Sequence, residues 1–113
     1  MTLQELATRL ELKVLSAGTP LDRPVSGGYA SDLLSDVIGR AGKDSLWLTM
    51  QVHPNIVAVA VLKELAGIVL VGSRAPAAET LAQAEREKVP VLGTSLSTFE
   101  LAGRLYGMGV RGG

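Results

Sequence analysis

Two patterns of apolar and polar positions alternate along the chain. Short runs rich in Leu, Val and Ile, typical of strands buried on both faces, occur at residues 46–50, 68–71 and 89–92. Each run is followed by a segment of helical character, at residues 54–66, 76–88 and 97–106. Strands of this kind that alternate with helices predict a mostly parallel sheet with helices on both faces.

The N-terminal part of the chain predicts further, less regular elements. Thr2 and Glu5 have the spacing of a capping box and predict a helix that ends near residue 9 or 10. Residues 12–15 predict a short strand, residues 21–29 an irregular loop and residues 30–40 a helix with one apolar face. We expect the last residues, 111–113, to fray. The fold class predicted is α/β, with three layers and a mostly parallel sheet of about four to five strands.

The helix predicted at residues 54–66 is unusual because its first half is apolar on every face. A surface helix normally carries a polar stripe, and a small domain cannot easily bury a helix all round with its own chain. We therefore expect a second copy of the chain to cover it in a homodimer, through Ile56, Val57 and Val61. The alternative is that the N-terminal segment covers it.

Composition narrows the class of protein. A chain of 113 residues fits a single domain spanning residues 1–113, and 47% hydrophobic residues with 19% charged ones exclude disorder. The formal net charge of +0 argues against nucleic acid as a partner, and the absence of cysteine excludes disulfides and thiolate chemistry. No export signal or membrane span is recognised, so we expect a cytoplasmic protein without a membrane partner.

The turns that follow the predicted parallel strands contain small polar residues, one arginine and the only histidine. Because such turns meet at one edge of a sheet, beside helix N-termini, they predict an anion site. The candidates in these turns are Gln51, His53, Asn55, Ser73, Arg74 and Thr94. The alternative is that they only cap helices and hold loops together. We expect no cofactor and no metal.

The loop at residues 22–29 adds a second group of candidates. Gly27 and Gly28 allow the backbone to approach another group closely, and Arg23 can offer a two-pronged hydrogen bond to a phosphate or carboxylate. With Ser26, these residues are assigned to the same anion site. The alternative is a structural turn in which Arg23 pairs with Asp22, Asp32 or Asp36.

Two segments of the chain resemble a known family. Residues 22–37, DRPVSGGYASDLLSDV, and residues 51–60, QVHPNIVAVA, are similar to the DRTGG domain, with a resemblance from about Leu12 to Val110. That family is similar to the N-terminal domain of bacterial HPr kinase/phosphorylase, and it occurs as a regulatory insert in CBS-domain pyrophosphatases and in some phosphotransacetylases. Here Pro24-Val25-Ser26 stands where the family motif has a single Thr, so any role of that Thr falls to Ser26.

The resemblance implies a regulatory or ligand-sensing module rather than an enzyme, because the kinase activity of HPr kinase belongs to a separate C-terminal domain. We expect a homodimer that binds a small anionic metabolite or a partner enzyme at the edge formed by the strand C-termini. One alternative is a small enzyme acting on a phosphorylated or acyl substrate, with His53 as acid or base and Arg23 or Arg74 holding the anion. Another is a structural subunit of a larger complex.

Overall fold

A five-stranded sheet with five helices forms the fold in a computed structural model that describes residues 1–113. In chain order the elements are α1 Leu3–Arg9, β1 Lys13–Val14, β2 Gly27–Ala30, α2 Leu34–Arg40, β3 Ser45–Thr49, α3 Asn55–Lys63, β4 Gly67–Leu70, α4 Ala78–Glu87, β5 Val91–Gly93 and α5 Thr98–Gly107. The strands lie in the order β1-β5-β4-β3-β2, and only β1 is antiparallel to its neighbour. The predicted mostly parallel α/β fold is confirmed.

The central strands β3 and β4 are buried along their whole length. One side of the sheet packs against apolar residues of α2, α3 and α4, and the other side packs against α1 and α5. Trp47 is fully buried in the first of these layers, and its indole nitrogen donates a hydrogen bond of 2.8 Å to the carbonyl of Ser31. The continuous apolar runs in the sequence are therefore explained by burial on both faces.

Two helix starts follow the signals in the sequence. Thr2 and Glu5 form a complete capping box at α1, in which each side chain bonds the backbone of the other residue. At α5 the Ser97 side chain accepts a hydrogen bond of 3.3 Å from the backbone of Glu100. Polar side chains thus satisfy backbone amides that a helix start would leave unpaired.

Residues 27–29 were predicted to lie in a loop and residue 30 to begin a helix, and the structure corrects both predictions. Residues 27–30 form the edge strand β2, which is parallel to β3, with Gly27 opposite Ser45 and Ala30 opposite Leu48. The following helix consequently begins at Leu34 rather than at residue 30. Glycine is rare in strands, so the ladder of backbone hydrogen bonds and not the side chains determines this element.

The C-terminal residues 111–113 were expected to fray, but they are held along the free edge of β2. The Gly28 amide donates to the Arg111 carbonyl at 2.8 Å, and the Gly113 amide donates to the Gly28 carbonyl at 3.2 Å. The Ser45 hydroxyl, on a buried residue, donates to the Gly113 carbonyl at 2.7 Å. The tail therefore covers part of an edge that would otherwise expose unpaired backbone groups.

Helix α3 is covered mostly by its own chain, contrary to the predicted interface. Ile56 and Val57 are 0% exposed and lie in the core together with residues of α2 and α4. They cannot contact a second copy of the chain, because two flanking helices bury even this nearly uniform apolar helix. The exposed apolar residues of α3 are Ala58, Val61 and Leu62. None of the five helices has the length and apolar character needed to cross a membrane.

A short polar chain connects β2 to α2. The Tyr29 hydroxyl donates a hydrogen bond of 2.7 Å to Asp36, whose other carboxylate oxygen lies 3.4 Å from the Arg40 guanidinium. The hydrogen bond from Tyr29, with smaller contributions from Ser31 and Arg40, lowers the pKa of Asp36. The same hydrogen bond raises the pKa of Tyr29. Each group is therefore stabilised in the protonation state that it has at neutral pH.

This contact predicts a specific dependence of stability on pH. Since the pKa of Asp36 is lowered by folding, its contribution is fully present above the ordinary aspartate pKa of about 3.9 and is lost as the pH falls through the lower folded-state pKa. Tyr29→Phe should therefore cost stability at pH 7, and the cost should shrink progressively as the pH is lowered from about 3.9. Urea unfolding of both proteins at pH 7 and along an acidic pH series checks this. A difference in stability that does not change with pH would contradict it.

Candidate functional site

A cavity of about 510 Å³ opens at the edge where β4 and β5 end. Its walls come from the segment that contains the α1–β1 turn and β1, the turns that follow β4 and β5, and one residue of α5. In open α/β sheets ligands bind at this edge, because the turns after parallel strands converge there. The lining residues are Leu10, Glu11, Lys13, Leu15, Ser73, Arg74, Ala75, Pro76, Gly93, Thr94, Ser95, Leu96 and Arg104.

Positive charge dominates the lining of this cavity. Lys13, Arg74 and Arg104 come from three separate parts of the chain, whereas Glu11 is the single carboxylate among the lining residues. None of the three cations forms an ion pair, since the two ion pairs of the molecule join Arg40 to Asp36 and Lys43 to Glu64. Three cations against one carboxylate around a single cavity raise the local concentration of anions.

The two turns after β4 and β5 are bonded to each other. The amides of Gly72 and Ser73, both at positive φ, donate to the carbonyls of Leu96 and Thr94 at 2.8 and 2.9 Å. The Thr94 hydroxyl accepts a hydrogen bond of 3.1 Å from the Leu96 amide. These bonds hold the two cavity-lining turns together. They also occupy amides that an anion would otherwise use.

Three residues predicted for the anion site line this cavity: Ser73, Arg74 and Thr94. The sequence did not identify Glu11, Lys13 or Arg104. Glu11 and Lys13 lie at the start of the antiparallel edge strand, outside the strand-then-helix pattern used for the prediction. Arg104 lies in the last turn of α5, where a basic residue is common for the stability of the helix alone.

Gln51, His53 and Asn55 follow β3 at the same edge of the sheet, but they lie outside the cavity. The side-chain amide of Gln51 donates to the Asp32 carbonyl at 3.0 Å and thus holds the loop that follows β2. His53 and Asn55 are exposed. No group of three or more His, Cys, Asp or Glu residues is arranged to hold a metal ion.

The second group of candidates lies at the opposite edge of the sheet, where the parallel strands begin. The Ser26 hydroxyl donates to the Lys43 carbonyl at 2.8 Å, just before β3. Arg23 lines a separate groove of about 250 Å³ near the starts of β3, β4 and β5, and Gly27 and Gly28 contact the C-terminal tail. The structure therefore does not bring these four residues to the strand C-termini, and Arg23 forms no ion pair.

The order of strands and the helices on both faces define a three-layer α/β module, with a cationic cavity at the strand C-termini. The family description of the DRTGG domain matches residues 5–108. The chain belongs to the DRTGG domain family. The resemblance indicated by residues 22–37 and 51–60 is thereby confirmed.

Among solved structures, the chain is similar to the CBS and DRTGG domains of the regulatory region of Clostridium perfringens pyrophosphatase, complexed with the activator diadenosine tetraphosphate. The TM-score is 0.68 at 14% sequence identity, so the likeness is one of fold. The match covers 92% of this chain and 45% of that one, which means that the present chain spans less than half of the solved region. No curated protein matches the sequence.

Proposed function

We propose that this chain is a non-catalytic regulatory module that senses a small anionic metabolite in the cavity at the strand C-termini. The observation that carries the proposal is the set of three cations, Lys13, Arg74 and Arg104, which surround one cavity without forming ion pairs. A phosphorylated ligand would supply the missing negative charge through charge-assisted hydrogen bonds. The regulatory region of the pyrophosphatase to which this fold is similar is itself complexed with the activator diadenosine tetraphosphate, which carries four phosphates.

The geometry disfavours the enzyme alternative in which His53 is the acid or base. General acid–base chemistry needs a proton-exchanging group within hydrogen-bond reach of the bound substrate. His53 is exposed and outside the cavity, so it does not face the cations that would hold a phosphate. Ala75 and Ser95 also line the cavity, and their backbone amides donate to no group of the chain, so we propose these amides as further donors to the anion.

A thermal-shift screen tests the proposed site with inorganic pyrophosphate, tripolyphosphate, sugar phosphates, acyl phosphates and nucleotides. A ligand present at about 100 times its Kd should add roughly 2.7 kcal/mol to the free energy of unfolding, which is a clear rise of the melting temperature. Neutral sugars and nucleosides at the same concentrations are the controls. If no phosphorylated compound, up to millimolar concentration, raised the melting temperature above that of the free protein, the proposal would be contradicted.

The proposal includes a homodimer, with the exposed apolar face of α3 as its interface. Val61 is 44% and Leu62 is 65% exposed, while Ile56 and Val57 are excluded by their burial. A second copy is the simplest partner for such a face, since most soluble oligomers are symmetric homodimers.

The interface predicts that wild type sediments as a dimer at micromolar concentration and that Leu62→Asp sediments as a monomer, because a buried unpaired charge is costly. Phe99→Asp is the matched control: Phe99 is 85% exposed on α5, on the other face of the sheet, and the variant should remain dimeric. A monomeric wild type, or a dimer that survives Leu62→Asp, would show that α3 is not the interface.

A further inference from the structure

The wall of the cavity has a second component that a simple anion does not use. This component is apolar: the cavity that the cations line is also lined by Leu10, Leu15 and Leu96. They are only half-buried, and each packs against one of the two apolar cores, so their positions are fixed by the fold. A ligand that contacts both the leucines and the cations has an apolar part as well as an anionic one.

We infer, resting on the proposed anion site, that the ligand is a nucleoside polyphosphate. Its phosphates pair with Lys13, Arg74 and Arg104, and its base packs against the leucines. An inorganic polyphosphate would leave the leucines exposed, and a sugar phosphate has no group large enough to cover them. The volume of about 510 Å³ falls in the range of roughly 300–1,000 Å³ that small-molecule sites occupy.

The Glu11 carboxylate favours a nucleotide over a bare polyanion. It is a carboxylate in a cavity lined by three cations, yet it forms no ion pair with them. A site for a bare polyanion would be weakened by this charge, because like charges repel. A carboxylate is, however, an acceptor for two hydroxyl donors, and the ribose of a nucleotide offers two adjacent hydroxyl groups.

Titration calorimetry with three probes separates the contributions: ATP carries phosphates, ribose and base, tripolyphosphate carries phosphates alone, and adenosine carries no phosphate. We expect ATP to bind wild type at least about tenfold more tightly than tripolyphosphate, since only ATP covers the leucines and reaches Glu11. Adenosine should bind more weakly than either.

Glu11→Gln should change the two affinities in opposite directions. Without the carboxylate, tripolyphosphate binds about two- to fivefold more tightly because the repulsion is gone, while ATP binds about fivefold more weakly because a charged acceptor for the ribose is lost. Glu11 is exposed and bonds no other side chain in the cavity, so the melting temperature of the free protein is the check that the variant remains folded.

The outcomes distinguish the inference from the proposed function. Equal affinities of wild type for ATP and tripolyphosphate, or a parallel change of both in Glu11→Gln, would overturn the nucleotide assignment and leave the anion site intact. Binding of neither probe would overturn both. Tight binding of adenosine alone would place the ligand on the leucines without the cations and would also contradict the assignment.

Discussion

Gly27→Ala should release the C-terminal tail from the sheet. A Cβ atom at this position would lie 2.8 Å from the Arg111 carbonyl oxygen and 3.0 Å from the Gly113 Cα, which are both backbone atoms. The tail has to move away, and the buried Ser45 hydroxyl then loses its acceptor, the Gly113 carbonyl. An unsatisfied buried donor costs about 1–3 kcal/mol, so the free energy of unfolding should fall by that amount.

Gly28→Ala is the matched control for this variant. At Gly28 the nearest atom to a new Cβ is a Val110 side-chain carbon at 3.6 Å, which is an ordinary contact. Urea unfolding should show a loss of stability for Gly27→Ala and little change for Gly28→Ala. The protection factor of the amide of residue 28 should fall only in Gly27→Ala. Equal stability and equal protection in both would contradict the account of the tail.

The pair of substitutions Arg74→Ala and Arg104→Ala should nearly abolish anion binding. A hydrogen bond to a charged group contributes roughly 1.5–3 kcal/mol, and both side chains are exposed, so we expect a loss of about tenfold for each and about a hundredfold together. Neither side chain bonds another group of the chain, so stability should change by no more than about 0.5 kcal/mol. Calorimetry with tripolyphosphate measures the affinities.

Arg23→Ala is the control that distinguishes the two edges of the sheet. Arg23 lies in the groove near the strand starts, away from the cavity, so its removal should leave the affinity for tripolyphosphate unchanged. A loss of affinity in Arg23→Ala with no loss of affinity in Arg74→Ala would place the anion site at the end of the sheet where the parallel strands begin. Affinity in the wild type should also fall as salt is added, because exposed charges are screened.

The central part of the fold was predictable because it rests on strands buried on both faces. In a sheet with one exposed face, half of the apolar side chains in a run such as residues 68–71 would be exposed to water. Such a sequence therefore indicates a parallel sheet covered on both faces. The edge strand β2 was missed because Gly27 and Gly28 have low strand propensity, and its partners, β3 and the tail, are distant in sequence. Such pairing leaves no local signal.

The candidate site was predictable only where topology determines position. Ser73, Arg74 and Thr94 follow parallel strands, so the rule that turns converge at one edge places them together. The loop containing Gly27 was assigned to that edge as well, because its glycines indicated close approach of another group. Another group does approach Gly27 closely, but it is the C-terminal tail, at the end of the sheet where the parallel strands begin. A sequence shows that a glycine is needed more readily than it shows what approaches it.

Chemical-shift perturbation of the isotopically labelled protein by tripolyphosphate tests the central claim, that an anion binds at the strand C-termini, most directly. We expect saturable shifts of the amides of residues 73–75 and 93–96, of Lys13 and of Arg104, which line the 510 Å³ cavity. Residues 23–28 and 43–44, at the other edge, should not shift. Saturable shifts confined to that other edge, or no saturable shifts at all, would contradict the claim.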